Sequence, residues 1–319
     1  MTDKILIIDA HNTFIRNYVM NPSIGANGSP IGGCKGFLMT LQKLTKEIKP
    51  SKIVVIWDGG GGSKKRRALA KEYKEGRAPL KLNRAYSGMS ALEESQNRYD
   101  QMAKTIDYLN QMPVIQLMIE DVEADDVIGY VCHMPSISKD IKIIVSMDKD
   151  FYQLCNGKTL LYRPVQKEYL NENRILDQFN IHPNNFTLAR AIDGDKSDNL
   201  DGVKGAGLKT VAKRLPFLAE KKSHNLDDLF KYCKTVDSDL KLYKDILSEH
   251  KKIELNYKLM QLYSPQLSAK STEKVRNAIN KFKPTFNRTE VVKRMTVDGI
   301  NDYNWDALFQ KFRLLIDGS

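Results

Sequence analysis

Three short apolar runs, KILIID (4–9), KIVVIWD (52–58) and IKIIVSMD (141–148), each lead straight into an aspartate, and this feature restricts the fold more than any other. Their length and β-branched content mark them as strands, and PVIQLM (113–118) reads as a fourth. Helical periodicity is plain in GFLMTLQKLTKEI (36–48) and SQNRYDQMAKTIDYLNQM (95–112). Such alternation predicts an α/β fold whose central sheet is mostly parallel and covered by helices. Ligands of open α/β sheets bind outside the carboxyl ends of the strands, so Asp9, Asp58 and Asp148 are expected to share one edge despite their separation in sequence.

Segment 59–94 is polar, basic and glycine-bearing and reads as an excursion from the sheet. Beyond about residue 185 strands are expected to stop, with amphipathic helices continuing to NWDALFQKFRLL (304–315) and a linker candidate at PFLAEKKSHN (216–225). The division expected is an α/β domain over 1–185 and a helical region over 186–319. Fifty Lys and Arg against 39 Asp and Glu, a net charge of +11, point to a polyanionic partner: nucleic acid or an acidic membrane surface. The start MTDKILIIDA has no basic leader with a long apolar stretch, and no run approaches the roughly 18 apolar residues of a membrane span, so a cytoplasmic location is expected. Cys34, Cys132, Cys155 and Cys233 are scattered singly, as reduced and packed thiols would be. Trp57 reads as core, and the five histidines show no metal spacing.

Against this basic background, IEDVEADDVIGYV (119–131) crowds Glu120, Asp121, Glu123, Asp125 and Asp126 into seven positions before a helix. A helix start favours one or two acids. Five repel one another unless a cation sits among them. Asp150 follows Asp148 by two, and AIDGDKSDNLDGVKGAG (191–207) adds Asp193, Asp195, Asp198 and Asp201 in a glycine loop that departs from the EF-hand pattern. Any single aspartate here serves equally well as a cap; the joint pattern carries the argument. Hard oxygen donors without nearby His or Cys favour Mg2+ or Mn2+. Acids drawn from several segments suit two divalent ions about 4 Å apart, the arrangement that hydrolyses phosphodiesters.

DVEADDVIGYV, VSMDKDFYQL and IDGDKSDNLDGVKGAGLKTVAKRL resemble the signature blocks of the 5' nuclease family. That family includes flap endonucleases, the 5'-3' exonuclease domain of bacterial DNA polymerase I, and bacteriophage flap endonuclease and ribonuclease H. LIIDAHNTFIR resembles its opening strand and turn, NGSPIGGCKGFLMTL its next helix entry, and the likeness spans 4–215. The resemblance implies a PIN-like sheet with helices on both faces, a helical arch over about 59–94, and a helix-hairpin-helix type element over about 199–215. It implies metal-site carboxylates at Asp9, Asp58, Glu123, Asp125, Asp126, Asp148, Asp150, Asp195 and Asp198. The first ion falls mainly to Asp9, Asp58, Asp125, Asp126 and Asp148, and the second to Asp150, Asp195 and Asp198; Asp193 and Asp201 match no family position.

SKKRRALAKEYKEGR (63–77) reads as a solvated basic helix face at Lys64, Lys65 and Lys71, while YKEGR resembles the family's Tyr-Lys-x-x-Arg at the arch base. The expected roles are phosphate neutralisation by Lys74 and Arg77, base stacking by Tyr73, and DNA contact by Arg16, Arg66 and Arg67. GGGGSK (59–64) lacks the spacing of a phosphate-cradling loop and is expected to be a flexible hinge, with 78–94 ordering only on DNA. In GVKGAGLKT (202–210), Gly202, Gly205, Gly207, Lys204 and Lys209 are expected to grip duplex phosphates, with K+ held by backbone carbonyls. The resulting expectation is a free-standing, monomeric, metal-dependent 5'-3' exonuclease and flap endonuclease, with activity on RNA–DNA hybrids, that removes primers or 5' flaps in replication and repair. Its partners would be DNA with a 5' flap or single-stranded end, an RNA–DNA hybrid, and a single-strand-binding protein or sliding clamp. No polymerase domain is expected after Ser319, as in a phage protein or bacterial paralogue. The rivals are an inactive branched-DNA-binding protein of the same fold and an α/β nucleotide-binding protein with a surface acidic cluster.

Overall fold

The computed structural model describes residues 3–76, 82, 88–238, 240–265 and 267–317. The chain opens with β1 (Lys4–Asp9), α1 (Ala10–Met20), α2 (Gly32–Ile48), β2 (Lys52–Trp57), α3 (Lys64–Leu69), α4 (Ala91–Leu109), β3 (Ile115–Met118), α5 (Ala124–Cys132) and β4 (Ile141–Val145). It continues with β5 (Thr159–Arg163), β6 (Glu168–Leu170), α6 (Glu172–Phe179), α7 (Phe186–Asp193), β7 (Gly194–Asp195), β8 (Leu200–Asp201) and α8 (Leu208–Arg214). The last helices are α9 (Leu226–Thr235), α10 (Lys241–Ser248), α11 (His250–Met260), α12 (Ala269–Asn280), α13 (Arg288–Val297) and α14 (Trp305–Asp317).

Six strands form one sheet in the order β3-β2-β1-β4-β5-β6, with β1 to β5 parallel and β6 antiparallel to β5. Side chains alternate across a strand. Ile5 and Ile7 therefore enter one apolar cluster, with α5, α7, α8 and α10 to α12, while Leu6 and Ile8 enter another, with α1, α2, α4, α13 and α14. Burial on both faces is why the strands read as continuous apolar runs. β1 lies between β2 and β4, whose connections depart to opposite sides, so the crevice beyond its carboxyl end is the switch point of the sheet.

Several elements depart from expectation. β5 and β6 extend the sheet, and the two-residue pair β7 and β8 lies past residue 185. Two residues each are too few to leave a periodic signature. The linker candidate 216–225 is instead a packed turn: Leu218 is fully buried, and its carbonyl accepts the His182 N–H at 2.8 Å. Gly59 is no hinge. A Cβ there would lie 1.7 Å from the Ile119 carbonyl oxygen, so this glycine allows a close backbone approach. Most of 78–94 lies outside the described residues, yet 91–94 is already helical, begun by a capping box in which Glu93 accepts the Ser90 N–H at 2.7 Å. All four cysteines are free and buried. Trp57 is core, stacked on Phe37 at 5.8 Å. No helix among the described residues is long and apolar enough to cross a membrane.

Candidate metal and nucleic-acid site

The carboxyl edge gathers the strand-end acids as the alternation requires. Asp9 is level with Ile56 of β2, and its side chain both caps α1, accepting the Asn12 N–H at 3.2 Å, and accepts the Ser146 hydroxyl at 2.8 Å. Burial raises its pKa to about 7, against the hydrogen bond from Ser146, with the charges of Asp58 and Asp148 adding to the rise. Asp58 accepts the Ala124 N–H at 2.8 Å, which ties the end of β2 to the start of α5 and so brings Glu123, Asp125 and Asp126 beside it. Asp148 keeps a solvent-facing surface and accepts the Asp150 N–H at 2.8 Å. Its pKa is raised by the surrounding protein first and then by Asp198 and Asp195.

Two buried guanidinium groups organise the rest. Arg66, on α3, reaches Glu123, Asp125 at 3.3 Å and Asp126 at 3.0 Å, and donates to the Leu259 carbonyl at 2.9 Å. The expected DNA contact by Arg66 is thus overturned: only 8% of the residue is exposed, and its charge is spent on acids inside the protein. Arg190, in the last turn of α7, meets Asp150 at 3.2 Å, Asp193 at 3.4 Å and Asp195, and donates to the Gly194 carbonyl at 2.8 Å. Burial raises Asp150 to about 7, with Asp148 adding and Arg190 opposing.

Glu123 is the hub of the arch base. Its Oε1 accepts Ser63 and Lys74 (2.6 Å), and its Oε2 accepts Arg66 and the Tyr73 hydroxyl at 3.1 Å. Burial alone would raise its pKa, but Lys74 and Arg66 outweigh burial and hold it at about 2. Burial also works against the charge on Lys74, yet Glu123, Asp125 and Asp198 keep its pKa above the usual lysine value. The Lys74 backbone is left-handed (φ 59°), a conformation uncommon outside glycine, and is held there by its N–H donating to the Asp198 carbonyl at 2.9 Å. Asn199 adds a second tie, to the Glu72 carbonyl at 3.0 Å. Tyr73 corrects another expectation: its ring is 2% exposed, packed with Ala70, Leu200, Leu259 and Met260, so it anchors the arch base and offers no stacking face.

The remaining residues occupy the rim. Arg67 is exposed and donates to the Tyr73 carbonyl at 3.3 Å; Arg16 is half-buried on α1. Arg77 lies outside the described residues. Between α7 and α8, the Val203 N–H donates to the Ile192 carbonyl at 2.8 Å, Gly205 takes φ 77°, and Gly207 caps α8. Lys204 and Lys209 are exposed on this hairpin.

All nine acids assigned from sequence therefore meet at one edge, linked through Lys74 and Asp198 into a continuous field. Among the described residues, no three of them stand at metal-holding distances; Asp125, Asp126, Asp150 and Asp195 are instead engaged by Arg66 and Arg190. Sequence reading missed Arg190, Ser63 and Ser146 and left Asp193 outside the site, although it pairs with Arg190 at 3.4 Å. An arginine directly before AIDGD, three and five positions ahead of its two acids, was the available signal for Arg190.

Residues 4–180 match the family described as 5'-3' exonuclease, N-terminal resolvase-like domain. A 5'-3' exonuclease of Aquifex aeolicus (strain VF5) is 28% identical over 296 residues, covering 90% of this chain and 92% of its own. The flap endonuclease Xni of Shewanella sp. (strain MR-4) is 29% identical over 213 residues, 67% of this chain and 75% of its own. Among solved structures, a bacteriophage T5 flap endonuclease in complex with DNA and metal ions superposes with a TM-score of 0.66 at 16% identity, over 98% of this chain and 99% of that one, a likeness of fold.

Proposed function

The chain belongs to the 5'-3' exonuclease family through its N-terminal resolvase-like domain, and from that premise we propose that it is a metal-dependent 5' nuclease cutting branched DNA as exonuclease and flap endonuclease. The observation that carries the reading is the convergence of acids from five remote segments at the sheet switch point, with Lys74 fastened at their rim. The activities of the Aquifex and Shewanella relatives support it.

The donor set fits hard divalent cations. It consists of carboxylates, two of them raised to about 7 by burial and mutual repulsion, which a nearby cation would relieve. Asp9, Asp58, Asp125, Asp126 and Asp148 would hold the first Mg2+ or Mn2+, and Asp150, Asp195 and Asp198 the second. Bound there, the ions would activate the attacking water and stabilise the leaving oxygen. Glu123, saturated by four donors, works on this reading by holding Lys74, Tyr73 and Arg66 in place. Lys74 faces the scissile phosphate and neutralises charge as it develops, joined by Arg77. Arg16 and Arg67 contact the single strand. Lys204, Lys209 and the Gly202–Gly207 hairpin contact duplex phosphate, with K+ on the hairpin carbonyls. A PIN-like label, the division near residue 185, hybrid cleavage and a cytoplasmic replication partner belong to the same reading. Helices α13 and α14, however, pack on the α/β side.

Incubating a 5'-flap duplex with the protein and Mg2+ tests this directly. Cleavage should occur, and should disappear with EDTA or in Asp148→Asn. Cleavage that survives both defeats the mechanism; tight flap binding without cleavage by the unaltered protein points to an inactive binder.

A further inference from the structure

Resting on the two-ion reading, we propose that Arg190 is a resident counter-cation of the second ion's carboxylates, so that the chain binds its two divalent ions unequally and holds the second one loosely. Of the three carboxylates assigned to that ion, Asp150 and Asp195 already pair with Arg190. Arg190 has little freedom to leave. Its side chain is 6% exposed, its fork also donates to the Gly194 carbonyl at 2.8 Å, and it stands on a helix whose Leu188, Ala189, Ala191 and Ile192 are fully buried.

The first ion's group is different. Arg66 takes up Asp125 and Asp126, but Asp9, Asp58 and Asp148 remain, and the hydrogen bonds they accept come from neutral groups: Ser146 and Asn12, Ala124, and the backbone of Asp150. Among the described residues, no guanidinium pairs with these three acids, which face the first ion. An ion entering the second position must instead compete with a fixed positive charge for the same oxygens, and repulsion between close like charges in a partly buried site is strong. Asp193, which matches no family metal position, then has a role as the third partner that keeps Arg190 in the cluster at 3.4 Å.

Mn2+ titration of the protein at pH 8, with free ion read by electron paramagnetic resonance, tests this without any turnover. The unaltered protein should bind one ion at least about tenfold more tightly than a second, and Arg190→Gln should tighten the weaker site by about tenfold or more, the scale of removing one close like charge. Arg190→Lys, which keeps the charge, should leave that site near its original affinity. Two sites of equal affinity in the unaltered protein overturn the inference without any variant, and leave the two-ion reading standing. Equal tightening by both variants also overturns it, because geometry rather than charge would then be responsible. Absence of bound Mn2+ from the unaltered protein overturns the two-ion reading and this inference together.

Discussion

Glu123 and Asp125 lie two positions apart on the same helix entry, yet their carboxyls are driven in opposite directions. Both are penalised by burial. Glu123 receives two full cationic contacts, from Lys74 and Arg66, while Asp125 shares a longer contact to Arg66 with Asp126 and feels both neighbouring acids. Glu123→Gln preserves shape and removes only the charge. It leaves Lys74 buried without its 2.6 Å counter-ion, and breaking such a pair costs roughly 3–5 kcal/mol. Urea unfolding at pH 7 should report that loss, and Mn2+ binding should change far less than in Asp148→Asn. An equal loss of Mn2+ affinity in both would make Glu123 a direct ligand. Lys74 itself, strained at φ 59°, should tolerate glycine in backbone terms but lose the side chain that faces the substrate.

At the scale of elements, α14 is the least expected contributor. Phe312 is fully buried among the α1 and α2 side chains and meets Phe286 at 5.8 Å, so Phe312→Ala should cost about 3–5 kcal/mol and lower Tm. Calorimetry should show this while flap cleavage at low temperature persists. Only part of this was legible in the sequence. The strands could be read because burial on both faces gives unbroken apolar runs, and the acids because strand ends in a parallel sheet share an edge. α14 was legible as a helix but not as to its destination, since an amphipathic stripe names no partner. The basic run 63–77 misled for a related reason. Nothing in KKRRAL distinguishes the arginine that turns inward, because its partners Glu123, Asp125 and Asp126 are almost sixty residues away.

For the molecule as a whole, the clustered acids set the response to pH. Asp9 and Asp150 bind protons more tightly when folded, at about 7, than at the ordinary value of 3.8, so folding is favoured as pH falls through that interval. Glu123 acts oppositely. Its contribution is complete above its ordinary 4.5 and is lost as pH falls toward about 2. In EDTA, Tm should therefore rise from pH 8 toward pH 5 and collapse below about 4, and saturating Mg2+ should flatten the upper limb. A curve flat between pH 8 and 5 in EDTA would mean that the acids do not crowd one another. The return of α13 and α14 to the sheet face begun by β1 has a consequence for biosynthesis. Phe14, Phe37 and Leu41 leave the ribosome long before Met295, Leu308 and Phe312, which share their apolar cluster. That flank stays greasy until those helices emerge. Nascent chains stalled before residue 290 should be captured by chaperones or degraded, which confines nuclease activity to chains that have released α13 and α14.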